Sequence, residues 1–111
     1  MNYPSDQYYI DRVLEGRTHA FSFLVERYQG LVYTVVYRMV KNKEQAEEIA
    51  QDSFIKAFES LKTYRGDAKF STWLYTVAYR KSLDAIRANK RVKTLGFIED
   101  IKETEIIPFL N

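Results

Sequence analysis

Apolar residues recur at helical spacing through most of the chain. Between residues 18 and 40 the apolar positions are Phe21, Leu24, Val25, Tyr28, Val32, Val35, Val36 and Met39. Because this spacing follows the 3.6-residue turn, it predicts a long second helix over 18–40. A first, shorter helix over 5–15 is predicted from Tyr9, Ile10, Val13 and Leu14, with Gly16 ending it. Gly30, inside the long helix, is expected to mark a close crossing with another helix.

A third helix is predicted from about Lys43 to Leu61. Asn42 followed by Gln45 resembles a capping box, in which the side chain of the first residue accepts a hydrogen bond from the backbone N–H of the other. One side of this helix carries its apolar residues at helical spacing. These expected core residues are Ala46, Ala50, Phe54, Ala57 and Leu61.

A fourth helix is predicted after a polar turn over 62–69, in which Gly66 forms the bend. Ser71 or Thr72 is expected to cap this helix, which reaches about Arg91. Its expected core residues are Phe70, Leu74, Val77, Ala78, Ala85 and Ala88. The fold class is therefore all-α, a compact bundle of about four helices. It is expected to occupy residues 1–93, with 94–111 as an acidic linker or tail.

Composition favours a binding protein over an enzyme. The chain of 111 residues suits one domain, and it has no cysteine and one histidine, His19. Thiolate metal sites and paired-histidine chemistry are thereby excluded, and the four glycines lie too far apart to form a phosphate-binding loop. His19 is expected to be partly solvated in the first turn of a helix. No signal peptide or membrane span is evident. We expect a cytoplasmic protein without cofactor or metal.

Charge is unevenly distributed, although the net charge is only +2. Residues 44–60 contain one basic and five acidic side chains, whereas residues 61–93 contain nine basic and two acidic ones. An acidic segment beside a basic one indicates two different partners, and the basic segment suits nucleic acid.

The outward side of the third helix combines polar residues with a single apolar one. Its members are Glu44, Glu48, Gln51, Asp52, Ile55 and Glu59. An apolar residue surrounded by carboxylates suits docking of a basic, partly apolar partner helix. The alternative is a solvated face with one exposed isoleucine, because single exposed apolar residues are common.

The outward side of the fourth helix is basic. It presents Thr72, Thr76, Arg80, Leu83, Arg87 and Lys90, with Arg91 and Lys93 beyond its end. Cations at one-turn spacing can follow a phosphate backbone, and threonine hydroxyls can bond to phosphate oxygens. An ordinary exposed helix is the alternative, but the local excess of positive charge favours nucleic acid.

Aromatic residues surround the turn that follows the third helix. They are Tyr64, Phe70, Trp73, Tyr75 and Tyr79. Exposed aromatic rings next to cations can stack single-stranded bases. Phe70 and Trp73 lie on or near the apolar side and fit core positions, whereas a core position is less strongly indicated for the three tyrosines.

The order and spacing of these motifs resemble region two of extracytoplasmic-function (ECF) sigma factors. The matching segments are Ala46–Phe58 (AEEIAQDSFIKAF), Tyr64–Asp67 (YRGD), Phe70–Leu74 (FSTWL) and Tyr79–Arg87 (YRKSLDAIR). The resemblance covers roughly residues 10–92.

The resemblance implies two macromolecular partners. The acidic helix would bind a coiled coil in the largest subunit of RNA polymerase, through Glu48, Gln51, Asp52, Ile55 and Glu59. The basic segment would recognise and melt the minus-ten promoter element, holding a flipped base of the non-template strand in the loop from Lys62 to Lys69. The implied DNA-binding residues are Tyr64, Arg65, Asp67, Lys69, Thr72, Thr76, Tyr79, Arg80, Arg87, Lys90 and Arg91. An anti-sigma factor is a further expected partner, and a membrane is not.

The chain departs from the family pattern at three points. Many members have asparagine where this chain has Arg80. Housekeeping sigma factors have adjacent tryptophans where this chain has Thr76 and Val77, so melting is expected to depend on base flipping and capture. A second, minus-thirty-five-binding domain does not follow, so the chain is expected to be a fragment or to have been cut in the linker after residue 93.

Two other functions stay open on sequence alone. The first is a stand-alone helical nucleic-acid binder without a polymerase partner, and the second is a structural bundle whose basic face binds nothing. The loop from Lys62 to Lys69 also has a simpler interpretation, as a polar connector in which Asp67 caps the next helix.

Overall fold

The computed structural model describes the backbone of residues 4–94 and the side chains of residues 4–89. Its four α-helices are α1 (Asp6–Leu14), α2 (Phe21–Val40), α3 (Lys43–Ser60) and α4 (Phe70–Thr94). Short 3₁₀ turns lie at Thr18–Ala20, before α2, and at Leu61–Thr63, after α3. No strand occurs in this part of the chain, so the predicted all-α bundle is confirmed. The predicted tail lies outside the described residues from position 95 onward.

Local sequence sets where the first three helices begin and end. The Ser5 hydroxyl accepts a hydrogen bond from the Tyr8 backbone N–H (3.2 Å), and Asn42 Oδ1 accepts one from Gln45 N–H (2.8 Å), as predicted. Gly16 follows α1 with φ of 101°, a conformation that favours glycine. Lys41 ends α2 in the left-handed region, with φ of 54°.

The predicted cap of α4 is wrong. This helix begins at Phe70, and the backbone N–H groups of Thr72 and Trp73 both bond to the Lys69 carbonyl (3.0 and 3.1 Å). Ser71 and Thr72 therefore lie inside the first turn. The helix starts earlier than its polar residues suggest because Phe70 is buried and fixes the position of that turn.

Helix α2 lies at the centre of the bundle and packs against α1, α3 and α4. The largest fully buried apolar side chains come from all parts of the described chain: Ile10, Leu24, Val32, Val36, Leu61 and Leu74. Each contributes roughly 1.5–3 kcal/mol by leaving water. Burial of this kind, more than helix propensity, holds the four helices in place.

The predicted core residues are confirmed for α3 but only in part for α4. All five predicted core residues of the third helix are buried, together with Ile49 and Ser53. In α4, Phe70, Leu74 and Ala78 are buried, whereas Val77 and Ala85 are half-buried and Ala88 is exposed. Ser82 and Ile86 complete its buried face.

Helix α1 is attached to α2 by a polar cluster around Asp6. Its carboxylate accepts hydrogen bonds from Arg27 Nη1 (2.7 Å) and from the Tyr28 hydroxyl. The Arg27 guanidinium also lies 5.4 Å from the centre of the Tyr9 ring. Burial, with the hydrogen bond to Asp6 as a second cause, raises the pKa of Tyr28 to about 12.

The role predicted for Gly30 is wrong. A Cβ atom at this position would meet no atom within 4 Å, so no neighbouring helix requires a glycine here. His19, by contrast, is exposed in the 3₁₀ turn before α2, in agreement with its predicted solvation.

Candidate functional site

Helix α3 presents the predicted acidic residues on one exposed surface, which we call the acidic face. Its members are Glu48, Gln51, Asp52, Ile55 and Glu59, and all five are exposed. Within the described residues, none of the three carboxylates is in an ion pair: the two ion pairs there are Arg12–Glu15 and Arg27–Asp6. The acidic face therefore keeps its negative charge available to a partner.

The apolar part of the acidic face is larger than predicted. Ile55 is 56% exposed, and Phe58, one turn further along α3, is 39% exposed. The Phe58 ring contacts the buried Phe21 ring edge-on, with centroids 5.3 Å apart. The sequence signal for Phe58 is its position three residues after Ile55, because residues at this spacing are neighbours on a helix surface.

The loop between α3 and α4 is closed by Tyr64. The Tyr64 hydroxyl donates a hydrogen bond to the Ala68 carbonyl (2.5 Å), and the Tyr64 backbone N–H donates one to the Leu61 carbonyl (3.0 Å). Gly66 bends the loop with φ of 84°. Arg65, Asp67 and Lys69 are exposed, and within the described residues no backbone N–H of α4 donates a hydrogen bond to the Asp67 carboxylate.

An aromatic cluster supports this loop. The Tyr64 ring lies 5.8 Å from Phe70 and 5.4 Å from Trp73, between ring centroids. Phe70 is 2% exposed, so it is a core residue, as expected. Trp73 is half-buried. Tyr75 and Tyr79 are half-buried and pack against the core, and burial raises the pKa of Tyr75.

A cavity of about 310 Å³ opens between the loop and the first half of α4, and we call it the base cavity after the flipped base that the family resemblance implies. It joins two groups of predicted residues, Tyr64, Arg65 and Asp67 from the loop and Thr72, Thr76 and Arg80 from α4. Its wall also contains Thr63, Trp73 and Val77, which were not predicted as site residues.

Other predicted DNA-binding residues do not line the base cavity. They are Lys69, Tyr79 and Arg87. Arg87 lies on the exposed side of α4, two turns beyond Arg80. The side chains of Lys90 and Arg91 lie outside the described residues, although the backbone of α4 continues through them. The Thr76 hydroxyl donates to the Thr72 carbonyl (3.2 Å) in its own helix.

The described residues contain neither a metal-binding cluster nor a membrane-spanning helix. No group of three or more histidine, cysteine, aspartate or glutamate side chains there is arranged to hold a metal ion. None of the helices in that part of the chain combines the length and apolar character needed to span a membrane.

Comparison with protein families identifies residues 24–92 as Sigma-70 region 2. The RNA polymerase sigma-H factor of Pseudomonas aeruginosa is 37% identical over 86 residues, covering 78% of this chain and 45% of that protein. The ECF RNA polymerase sigma factor SigW of Bacillus subtilis is 40% identical over 81 residues, covering 73% and 43%. The ECF RNA polymerase sigma-E factor of Escherichia coli is 38% identical, covering 78% and 45%. The chain thus spans less than half the length of these relatives.

A solved structure is similar over most of the chain. It is the NMR structure of an engineered region 2 of sigmaE in complex with GTAAAA, with a TM-score of 0.76 and 36% sequence identity. The alignment covers 82% of this chain and 96% of that one. Because the family model covers more than half of the chain and the solved domain matches both sequence and fold, the chain belongs to the Sigma-70 region 2 family, in the form found in ECF sigma factors.

Proposed function

We propose that this chain docks on RNA polymerase core and recognises and melts the minus-ten element of promoters. The observation that carries the proposal is the base cavity, in which the loop and α4 bring aromatic and charged residues together. The related domain of sigmaE was solved with the oligonucleotide GTAAAA, which supports a single strand as the ligand of this cavity.

The base cavity has the chemistry that a flipped base requires. Extracting a base from the stack costs a few kcal/mol, and stacking on an aromatic side chain returns about 1–3 kcal/mol. Trp73 and Tyr64 provide aromatic surface in the wall, and Arg65 and Asp67 provide a donor and an acceptor for base edges. Arg80 lies at the side of the cavity, where it can neutralise a phosphate.

The acidic face suits a basic helix with apolar residues at its centre. Ile55 supplies exposed apolar surface between Asp52 and Glu59, and interface energy is concentrated in such central residues. The partner we propose is the coiled coil of the largest polymerase subunit. The proposal has three further parts. They are an anti-sigma factor that covers the same face, a cytoplasmic location, and a linker role for residues 94–111.

Substitution of Ile55 tests the docking face. Ile55→Glu is expected to abolish capture of the chain by RNA polymerase core, because it places a charge at the centre of the interface. The free energy of unfolding should change little, since the side chain is exposed. Leu14→Glu on α1 is the matched control, because Leu14 is 53% exposed and lies outside the acidic face. Pull-down of polymerase core and urea unfolding measure the two effects.

Three outcomes would contradict the proposal in different ways. If Ile55→Glu unfolds the chain, Ile55 has a structural role. If both glutamate variants bind polymerase equally well, the acidic face is not the docking site. If the unmodified chain binds single-stranded DNA but never polymerase, it is a stand-alone nucleic-acid binder.

A further inference from the structure

A second cavity, of about 350 Å³, lies beside the base cavity, between the end of α3 and the middle of α4. The two cavities share four wall residues, Thr63, Trp73, Val77 and Arg80. The two cavities are therefore adjacent, and the Arg80 side chain lines both of them.

The walls that belong only to the second cavity are mainly polar. Lys56 and Ser60 come from α3, and Lys81 and Asp84 come from α4. With Arg80, three cations thus face one carboxylate. None of the three cations is in an ion pair within the described residues. Lys81 is half-buried, and an ammonium group without an ion-pair partner beside two further cations favours an anionic ligand.

Hydroxyl groups add hydrogen-bonding capacity to this positive charge. The Ser60 carbonyl accepts a hydrogen bond from Thr63 Oγ1 (2.6 Å). The Ser60 hydroxyl makes no hydrogen bond within the same part of the chain and can donate to a ligand oxygen. Ammonium and hydroxyl donors around a small opening match a phosphate, whose oxygens accept hydrogen bonds and carry the charge.

We propose that the second cavity binds a backbone phosphate of the same strand that places its base in the base cavity, with Lys56 and Lys81 as the principal ligands. The inference rests on the proposed function and adds a phosphate site on α3, the helix that also carries the acidic face. Trp73 and Val77, in the shared wall, would contact the intervening sugar.

The salt dependence of binding tests the site. For the 111-residue chain and a single-stranded minus-ten oligonucleotide, the double variant Lys56→Gln/Lys81→Gln is expected to reduce the slope of log K against log salt by about 0.7, the value for one phosphate on a single strand. Lys41→Gln/Lys43→Gln is the matched control, because it removes the same charge at the junction of α2 and α3, away from the second cavity. Lys56→Arg/Lys81→Arg retains the charge and should retain the slope.

Neutral linkages identify the phosphate. Oligonucleotides with one methylphosphonate at each position in turn should bind the unmodified chain weakly when one particular linkage is neutral. The double glutamine variant should be insensitive at that linkage and ordinarily sensitive elsewhere. Equal sensitivity of both proteins at every linkage would overturn the proposal, as would a slope equal to that of the control.

Asp84→Asn provides a test in the opposite direction. Removal of the single carboxylate should strengthen binding of the strand, whereas an unchanged or weaker affinity would mean that no phosphate lies in the second cavity.

Failure of the proposed function is distinguishable from failure of this inference. If the unmodified chain does not prefer the minus-ten strand to a scrambled strand, the proposed function fails. If the chain does show this preference, but the lysine variants have the same salt slope as their control, only the phosphate site is excluded.

Discussion

At the residue scale, two serines show how a polar side chain is accommodated in the core. Ser53 and Ser82 are fully buried, and their hydroxyls donate to the carbonyls of Ile49 (2.8 Å) and Ala78 (2.9 Å) in their own helices. Neither hydroxyl depends on a neighbouring helix. We therefore infer that their role is steric, since a small side chain lets neighbouring helices approach closely.

Substitutions at Ser82 separate size from polarity. Ser82→Ala should change the free energy of unfolding by less than about 0.5 kcal/mol. The Ser82 hydroxyl bonds only to the Ala78 carbonyl of its own helix. Because the helix also supplies that carbonyl with a hydrogen bond, the alanine variant leaves no buried group without a partner. Ser82→Leu should cost roughly 1–3 kcal/mol through overpacking. Urea unfolding of the three proteins measures both. A large loss in the alanine variant would show that the hydroxyl itself is required.

The Tyr28 hydroxyl makes stability depend on alkaline pH. Its pKa is raised to about 12 by burial and by the hydrogen bond to Asp6, against about 10 for an unfolded tyrosine. The folded state therefore binds this proton more tightly. The resulting stability is complete below about pH 10 and is lost as the pH rises from about 10 to about 12.

Tyr28→Phe isolates this contribution, because phenylalanine keeps the ring and cannot ionise. At pH 8 the unmodified chain should be the more stable of the two, and the difference should shrink between pH 10 and pH 12. Urea unfolding at several pH values measures the difference in free energy of unfolding between the two proteins. The contributions of the other tyrosines cancel in this difference, because both proteins contain them. A difference that stays constant over this range would contradict the assignment.

At the scale of the element, the end of α2 contains a strained residue. Lys41 adopts φ of 54° and ψ of 36°, where a Cβ atom costs roughly 1 kcal/mol and glycine is usual. Lys41→Gly is expected to raise the free energy of unfolding relative to Lys41→Ala by about 1 kcal/mol. The alanine variant is the control because it removes the same charge and keeps the Cβ. Equal stability of the two variants would exclude strain at this position.

The sequence predicted the elements better than their buried faces. The five core residues predicted for the third helix follow from apolar spacing, since Phe54 and Leu61 mark the buried side clearly. In α4 the buried side continues from Ala78 through Ser82 to Ile86, and a serine reads as polar in a hydropathy pattern. Alanine has little apolar area, so Ala88 gave no reliable indication of its face and is exposed.

At the scale of the whole molecule, sequence predicted which residues of the candidate surfaces are exposed but not the internal geometry of these surfaces. The residues of the acidic face are exposed, and so are Arg65, Asp67 and Lys69 in the loop, as their polarity predicts. The hydrogen bond from Tyr64 to the Ala68 carbonyl depends on the path of the loop, and the position of Trp73 in the cavity wall depends on how α4 packs. Neither is encoded in a local pattern, because both require the tertiary arrangement of α3 and α4.

The tertiary arrangement also predicts that the proposed base selection and the proposed polymerase docking are separable. The loop residues Arg65, Gly66 and Asp67 are exposed, whereas Tyr64 fixes the loop through Ala68, Phe70 and Trp73.

Exchanging residues 65–67 for those of another family member, with Tyr64 kept, should change the base preferred at one promoter position in a transcription assay with polymerase core. Core binding and thermal stability should stay unchanged, because the acidic face and the aromatic cluster are untouched. Tyr64→Phe is the control for loop closure, since it removes only the hydroxyl. If the exchanged protein keeps its original base preference, the loop is a connector and selection lies in α4, with Arg80 as the residue to substitute next.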